Sequence, residues 1–181
     1  MTGFDDAVAT LKQGGVIAYP TEAVFGLGCD PENKSAVEKI LHLKQRPVDK
    51  GLIVIAGKID QLYRYIESKT IESFHHVVES WPGPHTWLLP CTNDTPRWLT
   101  GQYDTLAVRV TAHITAAGIC NAFDGPIVST SANPADLPPA KITADVLTYF
   151  GNNIDLIIDG EVNPQADVST IRDARTNKQL R

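Results

Sequence analysis

Three cations, Lys44, Arg46 and Lys50, stand within seven residues of one another. Pro47 and Gly51 in the same segment restrict the backbone to a tight turn and allow it to approach a ligand closely. Convergent lysine and arginine side chains bind phosphate oxygens through charge-assisted hydrogen bonds. The segment therefore indicates a polyphosphate site. A solvated basic surface at the end of a helix is the alternative that the spacing leaves open.

A second polar group follows an apolar run at residues 127–128 and reads Ser-Thr-Ser-Ala-Asn, with Ser129, Ser131 and Asn133 in alternate positions. Short hydroxyls and an amide at the end of a strand can hydrogen-bond a phosphate or a nucleotide. No Gly-x-Ser-x-Gly pattern surrounds either serine, so the sequence gives little support to a serine nucleophile.

Arg109 and Thr21 are the other candidates. Arg109 lies inside an apolar run, where an unpaired buried cation would cost several kcal/mol. It requires an anion, either a protein carboxylate or a ligand. Thr21 follows a predicted strand and a proline, and its hydroxyl could cap a turn or face a polar ligand.

The elements that must position these groups alternate between helical and extended patterns. Ser35 and Glu38 fit a capping box for a helix that runs to about Lys44. Near-continuous apolar strands predict an α/β fold whose sheet is covered by helices, with ligands beyond the strand ends. The predicted helices are 4–13, 35–44, 58–66, 71–80, 116–123 and 143–150, and the predicted strands are 16–19, 52–55, 86–89, 106–110, 127–129, 156–158 and 168–171.

Composition sets further bounds. A chain of 181 residues with 43% hydrophobic content predicts one domain, residues 1–181. The net charge of −5 argues against a protein that depends on nonspecific nucleic-acid affinity. Three dispersed cysteines and an acidic N-terminus without an apolar core lead us to expect a cytoplasmic protein. No apolar run has the length of a membrane helix.

Several common motifs are absent. Gly26 and Gly28 begin like a dinucleotide fingerprint, but Pro31 stands where its third glycine belongs. Gly57-Lys58 lacks the rest of a Walker A loop. The five histidines have no zinc-site spacing, and the three cysteines lie in apolar settings that favour the core.

Five motifs in order resemble the YrdC-like family, in its short bacterial form, over nearly the whole chain. They are YPTEAVFGLG at 19–28, KQRP at 44–47, WPGP at 81–84, AVRV at 107–110 and STSAN at 129–133. The resemblance implies a single-domain α/β fold with a twisted mixed sheet, flanked by helices and curving around a positively lined cavity.

The resemblance also implies an activity. L-threonine, bicarbonate or CO2, and ATP would give L-threonylcarbamoyladenylate and pyrophosphate, a nucleotidyltransferase reaction. Proteins of the TsaB, TsaD and TsaE type would then transfer the group to the adenosine beside the anticodon in tRNAs that read codons beginning with A. Magnesium would be carried by ATP, with no metal ligand from the protein, and only a weak contact with tRNA or RNA is expected.

Residue roles follow from the same resemblance. Lys44, Arg46, Ser131 and Asn133 match the family's catalytic pairs. The expected ATP-binding set is Lys44, Arg46, Lys50, Ser131, Asn133 and Arg181, and the expected threonine-binding set is Thr21, Arg109, Ser129 and Ser169. The chain departs from many relatives at Ala23, Lys50 and Ile55, and at Ala135-Asp136, which replaces a Ser-Gly pair.

Two other functions remain open. The basic C-terminal residues Arg172, Arg175, Lys178 and Arg181 suit a non-catalytic RNA-binding or ribosome-maturation factor, although they could equally form a solvated edge. The acidic net charge and the lack of an aromatic stacking surface weigh against that function. A related carbamoyl- or acyl-adenylate enzyme would share the chemistry.

Overall fold

Eight strands form one mixed sheet in the computed structural model, which describes residues 4–163 and 165–181. The order across the sheet is β7-β1-β2-β6-β3-β5-β4-β8. The strands are β1 Ile17–Pro20, β2 Phe25–Gly28, β3 Ile53–Ala56, β4 His85–Pro90, β5 Thr105–Val110, β6 Ile127–Ser131, β7 Leu156–Ile157 and β8 Thr170–Asp173. The α-helices are α1 Phe4–Lys12, α2 Lys34–Leu43, α3 Ser68–Ser73, α4 His75–Glu79, α5 Arg97–Thr100, α6 Ile114–Phe123 and α7 Thr143–Phe150. Three 3-10 turns lie at Val48–Lys50, Ile59–Arg64 and Gly151–Asn153.

Parallel and antiparallel pairs are interspersed. β1 pairs with β7, β3 with β5 and β4 with β8 in parallel, and the remaining neighbours are antiparallel. This arrangement confirms the predicted mixed α/β sheet flanked by helices. No helix within the described ranges is both long and apolar enough to cross a membrane.

The two faces of the sheet bury different apolar clusters, because successive side chains of a strand point in opposite directions. Ile17 and Tyr19 of β1 join a cluster with α1 and α6, whereas Ala18 joins the larger cluster with α2, α5 and α7. The α1–α6 pair covers only part of its face, and the rest of that face is the floor of the cavity described below.

The local predictions need three corrections. Asn33 caps α2 by accepting a hydrogen bond from the Ala36 amide at 3.0 Å, so the predicted capping box at Ser35 and Glu38 is wrong. Residues 58–66 contain a 3-10 turn rather than an α-helix. The helix predicted over 71–80 is split at Phe74, whose ψ of 71° is not helical.

Two elements, β2 and α5, were not predicted. The two glycines of β2 gave that segment no strand pattern, although it pairs on both edges. α5 has four residues, too few for a periodic signal. Its carbonyl groups at Leu99 and Thr100 nevertheless pack within about 3 Å of where a Cβ would stand at Gly51, beside the cation segment.

Candidate functional site

A cavity of about 740 Å³ lies on the open part of the α1–α6 face. Alternate residues of neighbouring strands form its floor, among them Gly26, Ile53, Ala107, Arg109 and Ser129. The predicted placement of Arg109 inside an apolar strand is confirmed, because it lies within β5. The prediction that Ser129 lies in a loop at a strand end is wrong, because it lies within β6. The sheet face formed by β2, β6, β3 and β5 provides the cavity floor.

All ten predicted site residues line this one cavity. Five of them are cations, and three carboxylates also line it, so the cavity has a positive balance within an acidic chain. The cations are Lys44, Arg46, Lys50, Arg109 and Arg181, and the carboxylates are Glu22, Asp136 and Asp167.

Lys44 ties the end of α2 to the end of β6. Its ammonium donates to the backbone oxygens of Ser131 and Asn133, the latter at 2.8 Å, and to Asn133 Oδ1 at 3.3 Å. These contacts use all three donors of the ammonium group. The cation and the Ser-x-Asn pair, 87 and 89 residues apart in the chain, therefore form one unit.

Burial lowers the pKa of Lys44 to about 8, and the charge of Arg46 acts in the same direction. Only 6% of Lys44 is exposed. The ammonium is stabilised by neutral oxygens alone, so its charge remains available to attract an anion in the cavity.

Asn133 holds the loop that follows. Its Nδ2 group donates to the Pro134 and Leu137 oxygens at 2.9 and 2.8 Å, and the Ala135 amide donates to the Lys44 oxygen at 3.0 Å. The loop at residues 134–136, where the sequence departs from many relatives, is thus held against the end of α2. Asp136 of this loop has a φ of 62°, in the left-handed region, and lines the cavity.

Arg46 and Lys50, the other two cations of the 44–50 segment, also line the cavity. Arg46 donates to the Gly51 oxygen at 3.0 Å, and its buried Nε has no partner among the described residues. Lys50 ends the 3-10 turn Val48–Lys50 and is exposed. Gly51 has a φ of 64°, which only glycine adopts readily, and this turn directs the chain back into β3.

Arg109 is paired with a protein carboxylate. Its Nη1 donates to Glu22 Oε1 at 2.8 Å, and Thr111 Oγ1 donates to the same oxygen at 3.0 Å. Burial opposes ionisation of Glu22, but the charge and hydrogen bond of Arg109 outweigh it and lower the pKa of the carboxyl group. Of the two anions that the sequence left open, the structure provides the carboxylate, while a ligand can still reach this wall of the cavity.

Glu22 is the residue that sequence reasoning missed. Two features of the sequence could have indicated it: a cation inside an apolar strand requires an anion, and Glu22 directly follows the candidate Thr21. The sequence offered 21 Asp and Glu residues, however, and nothing local selects among them.

The hydroxyl residues of the expected threonine-binding set each have a hydrogen-bond partner within the protein. Thr21 Oγ1 donates to the Val24 oxygen at 2.6 Å, closing the turn between β1 and β2. Ser129 Oγ accepts from the Tyr19 hydroxyl at 2.8 Å. Ser169 accepts from Arg181 through its backbone oxygen, at 3.0 Å, and through its hydroxyl.

Arg181 is positioned by the segment that returns along β8, where Ile171 and Arg181 exchange backbone hydrogen bonds. Burial lowers the pKa of its guanidinium, as do the nearby charges of Arg109 and Arg46. Arg181, Arg46 and Arg109 all line the one cavity.

The basic C-terminal residues offer little to an RNA. Arg175 pairs with Asp104 at 2.9 Å, and Arg172 donates to Asn177 and Gln179 and lies over the Trp87 ring. No group of three His, Cys, Asp or Glu residues within the described ranges could hold a metal ion.

Comparisons with known proteins agree with the geometry. A family model for Sua5, YciO and YrdC, described as telomere recombination, matches residues 9–181. A protein of Xanthomonas oryzae pv. oryzae (strain PXO99A) named threonylcarbamoyl-AMP synthase is 51% identical over 179 residues, which are 98% of this chain and 96% of that protein.

Two solved structures are also similar. P. abyssi Sua5 complexed with L-threonine superposes with a TM-score of 0.86 at 34% identity, over 94% of this chain. The chain spans about half of that longer protein, 50%. E. coli YciO superposes with a TM-score of 0.76 at 27% identity, covering 94% of this chain and 82% of that one.

Proposed function

The chain belongs to the Sua5/YciO/YrdC family, and on that premise we propose that it is a threonylcarbamoyl-AMP synthase. It converts L-threonine, bicarbonate or CO2, and ATP into L-threonylcarbamoyladenylate and pyrophosphate. The reaction transfers an adenylyl group to a carbamate, which makes the protein a nucleotidyltransferase.

One observation carries this proposal: a single cavity is lined by both a cation-rich group and a hydroxyl-rich group. The first consists of Lys44, Arg46 and Lys50 with Ser131 and Asn133, and it suits the phosphates and nucleoside of ATP. The second consists of Thr21, Arg109, Ser129 and Ser169, and it suits the carboxylate and hydroxyl of threonine. Arg181 lines the same cavity and donates to Ser169.

The chemistry requires no protein nucleophile. The free amine of threonine adds to CO2 and releases a proton, giving an N-carboxylate. An oxygen of this carbamate attacks the α-phosphorus of ATP, and the bond to the leaving pyrophosphate breaks. The residues contribute by aligning the carbamate with the phosphorus and by neutralising the negative charge that moves to the leaving group. The cavity walls limit contact of the carbamate with water.

We assign to Arg46, Lys50 and Arg181 the neutralisation of the negative charge that develops on the leaving pyrophosphate. Lys44 acts mainly through the Ser131–Asn133 segment, because its donors are already used there. Magnesium, bound to the ATP phosphates, would neutralise part of their charge. Asp136 and Asp167 are the carboxylates that line the cavity beside Glu22, and they do not form a ligand cluster with one another.

The product leads to the tRNA-modification step. We expect the protein to act in the cytoplasm, where proteins of the TsaB, TsaD and TsaE type would transfer the threonylcarbamoyl group to adenosine.

The direct test incubates the protein with ATP, magnesium and bicarbonate and measures pyrophosphate release. Release should require L-threonine and should fall strongly with L-serine or without an amino acid. Radiolabel from bicarbonate should appear in an adenylate that hydrolyses to threonine, AMP and labelled CO2.

An equal rate of pyrophosphate release with and without L-threonine would contradict the proposal. Salt-sensitive RNA binding without ATP consumption would favour the non-catalytic binding function instead.

A further inference from the structure

Tyr19 reaches across a strand to contact Ser129, a residue that lines the cavity. It lies in β1, is fully buried, and its hydroxyl donates to Ser129 Oγ at 2.8 Å. β1 and β6 are not neighbours, because β2 lies between them. A side chain of β1 can therefore reach β6 only by lying across the backbone of β2.

Gly26 and Gly28 make room for this ring. Side chains two residues apart share a face of a strand, and Gly26 stands opposite Tyr19 in the register. A Cβ at Gly28 would fall 2.9 Å from Tyr19 Cε1, and one at Gly26 would fall 3.3 Å from Tyr19 Cζ. Neither glycine has a positive φ. The Gly-x-Gly pair thus accommodates the close approach of the tyrosine ring, together with the Val128 oxygen, 2.8 Å from a Cβ at Gly28, and Thr21 Cγ2, 3.3 Å from one at Gly26.

The hydrogen bond from Tyr19 determines what Ser129 can do. Burial raises the pKa of the Tyr19 phenol above its ordinary value, so the O–H group is present to donate. Ser129 Oγ accepts it, and the serine's own proton has no acceptor among the residues that the structure describes. Ser129 lines the cavity, as does Arg109 on the same face of the sheet.

We propose that Tyr19 is a positioning residue for the amino-acid substrate: by donating to Ser129 it leaves the serine proton to point into the cavity and to donate to a substrate carboxylate oxygen. This inference rests on the proposed function and extends it to a residue that does not itself touch the substrate. The hydroxyl of Ser129, with its orientation fixed, complements the positive charge of Arg109 at the same carboxylate.

A buried polar pair that serves stability alone is the competing explanation. It predicts that loss of the Tyr19 hydroxyl lowers stability and leaves substrate binding unchanged. The proposal predicts instead a loss of threonine affinity that depends on Ser129.

The test compares Tyr19→Phe, Ser129→Ala and the double variant by threonine-dependent pyrophosphate release and by calorimetric titration with L-threonine. Tyr19→Phe should raise the KM and the Kd for threonine about fivefold, the usual contribution of one hydrogen bond, and should leave the KM for ATP within about twofold. The double variant should bind threonine no more weakly than Ser129→Ala, because Tyr19 acts only through Ser129.

Tyr65→Phe is the matched control. Tyr65 is also buried, and its hydroxyl donates to Glu32 Oε1 at 2.6 Å, but it does not line the cavity. Its removal should affect stability without changing the KM for threonine. Should Tyr19→Phe fail to fold, Gly26→Ala provides a second variant, because its Cβ would displace the Tyr19 ring without removing the hydroxyl. Gly26 also lines the cavity, so the variant is tested in the wild-type and the Ser129→Ala backgrounds. It should raise the Kd for threonine only where Ser129 is present, whereas a direct effect on the cavity would persist in both.

An unchanged threonine Kd in Tyr19→Phe, or additive effects in the double variant, would overturn the inference while leaving the proposed function in place. A wild-type protein that binds threonine but releases no pyrophosphate would overturn the proposed function, and the calorimetric comparison would still decide the role of Tyr19. Failure of the wild type to bind threonine would overturn both.

Discussion

At the residue scale, the cations of the cavity differ in how they are held. Lys44 is buried and fully hydrogen-bonded, Arg109 is ion-paired with Glu22, and Lys50 is exposed. The same formal charge therefore has three different consequences. Lys44 organises a backbone segment, Arg109 depends on a carboxylate for its stability in the sheet, and Lys50 can move to meet a ligand.

The first prediction concerns the charge of Lys44. Because its pKa is lowered to about 8, threonine-dependent kcat/KM for ATP should decline above about pH 8 as the ammonium loses a proton and one hydrogen bond. The folded chain releases this proton before the unfolded chain does, so this group makes the fold more stable, not less, as pH rises from about 8 towards 10.5. The decline in activity should thus occur without unfolding, as checked by circular dichroism.

Lys44→Arg serves as the comparison, since a guanidinium stays charged throughout this range. Whatever its absolute rate, the variant should show no decline centred near pH 8. The same alkaline decline in both proteins would exclude Lys44 as its source.

The second prediction concerns Glu22. Glu22→Gln leaves the buried Arg109 without a counter-charge and should lower the free energy of unfolding by about 2 kcal/mol. We place the effect below that of a fully buried pair because 24% of the Glu22 side chain is exposed. Since the pKa of Glu22 lies below its ordinary value, the wild-type advantage is present at neutral pH and disappears as pH falls through that lowered pKa.

Urea unfolding at pH 7 measures this loss, with Glu38→Gln as the control. Glu38 pairs with Lys34 at 3.6 Å on an exposed helix surface, so its change should amount to less than about 0.5 kcal/mol. Equal effects in the two variants would show that the Arg109 pair contributes no more than a surface pair.

At the scale of elements, α2 matters because it ends in the cation segment. The helix begins at the cap Asn33 and ends at Lys44, whose contacts join it to β6 and to the following loop. The position of α2 along its axis therefore helps to set where Lys44 meets the Ser131–Asn133 segment.

The third prediction tests which residue caps α2. Asn33→Ala removes the hydrogen bond to the Ala36 amide and should lower stability by about 1 kcal/mol. Ser35→Ala, at the position that the sequence pattern favoured, should change stability by less than about 0.5 kcal/mol, because Ser35 is exposed and does not cap the helix. Thermal unfolding of both variants under the same conditions checks this. The reverse order of effects would contradict the observed cap.

At the scale of the whole molecule, charge is unevenly distributed. The chain carries a net charge of −5, yet its cavity is lined by more cations than carboxylates. An anionic substrate is therefore attracted to one concave region of a protein that repels it elsewhere, which favours selective binding in that region.

The fourth prediction follows from this distribution. The KM for ATP should rise about threefold as KCl increases from about 50 to about 300 mM, because salt screens exposed charges. Lys50→Ala should raise the KM at low salt and show a shallower salt dependence. Lys12→Ala, an exposed lysine that does not line the cavity, should behave like the wild type. A salt dependence unaffected by Lys50→Ala would mean that this side chain does not contribute to nucleotide attraction.

Sequence patterns were enough to predict the α/β class, and the family resemblance predicted the mixed sheet and the ten polar residues that line one cavity. These followed because apolar periodicity reports local burial and because ordered motifs carry family-specific side chains. The roles of those residues stay predictions. The same reasoning did not predict β2 and α5, which have no periodic signal. It also did not predict the cap at Asn33.

Which groups contact one another became known from the folded structure. Glu22 lies 87 residues from Arg109, and Tyr19 lies 110 residues from Ser129. Local propensity contains no information about such pairs, since strand order and register determine them. The same order and register place Arg109 and Ser129 on one open face of the sheet, within β5 and β6, and bring the Tyr19 ring against the two glycines of β2.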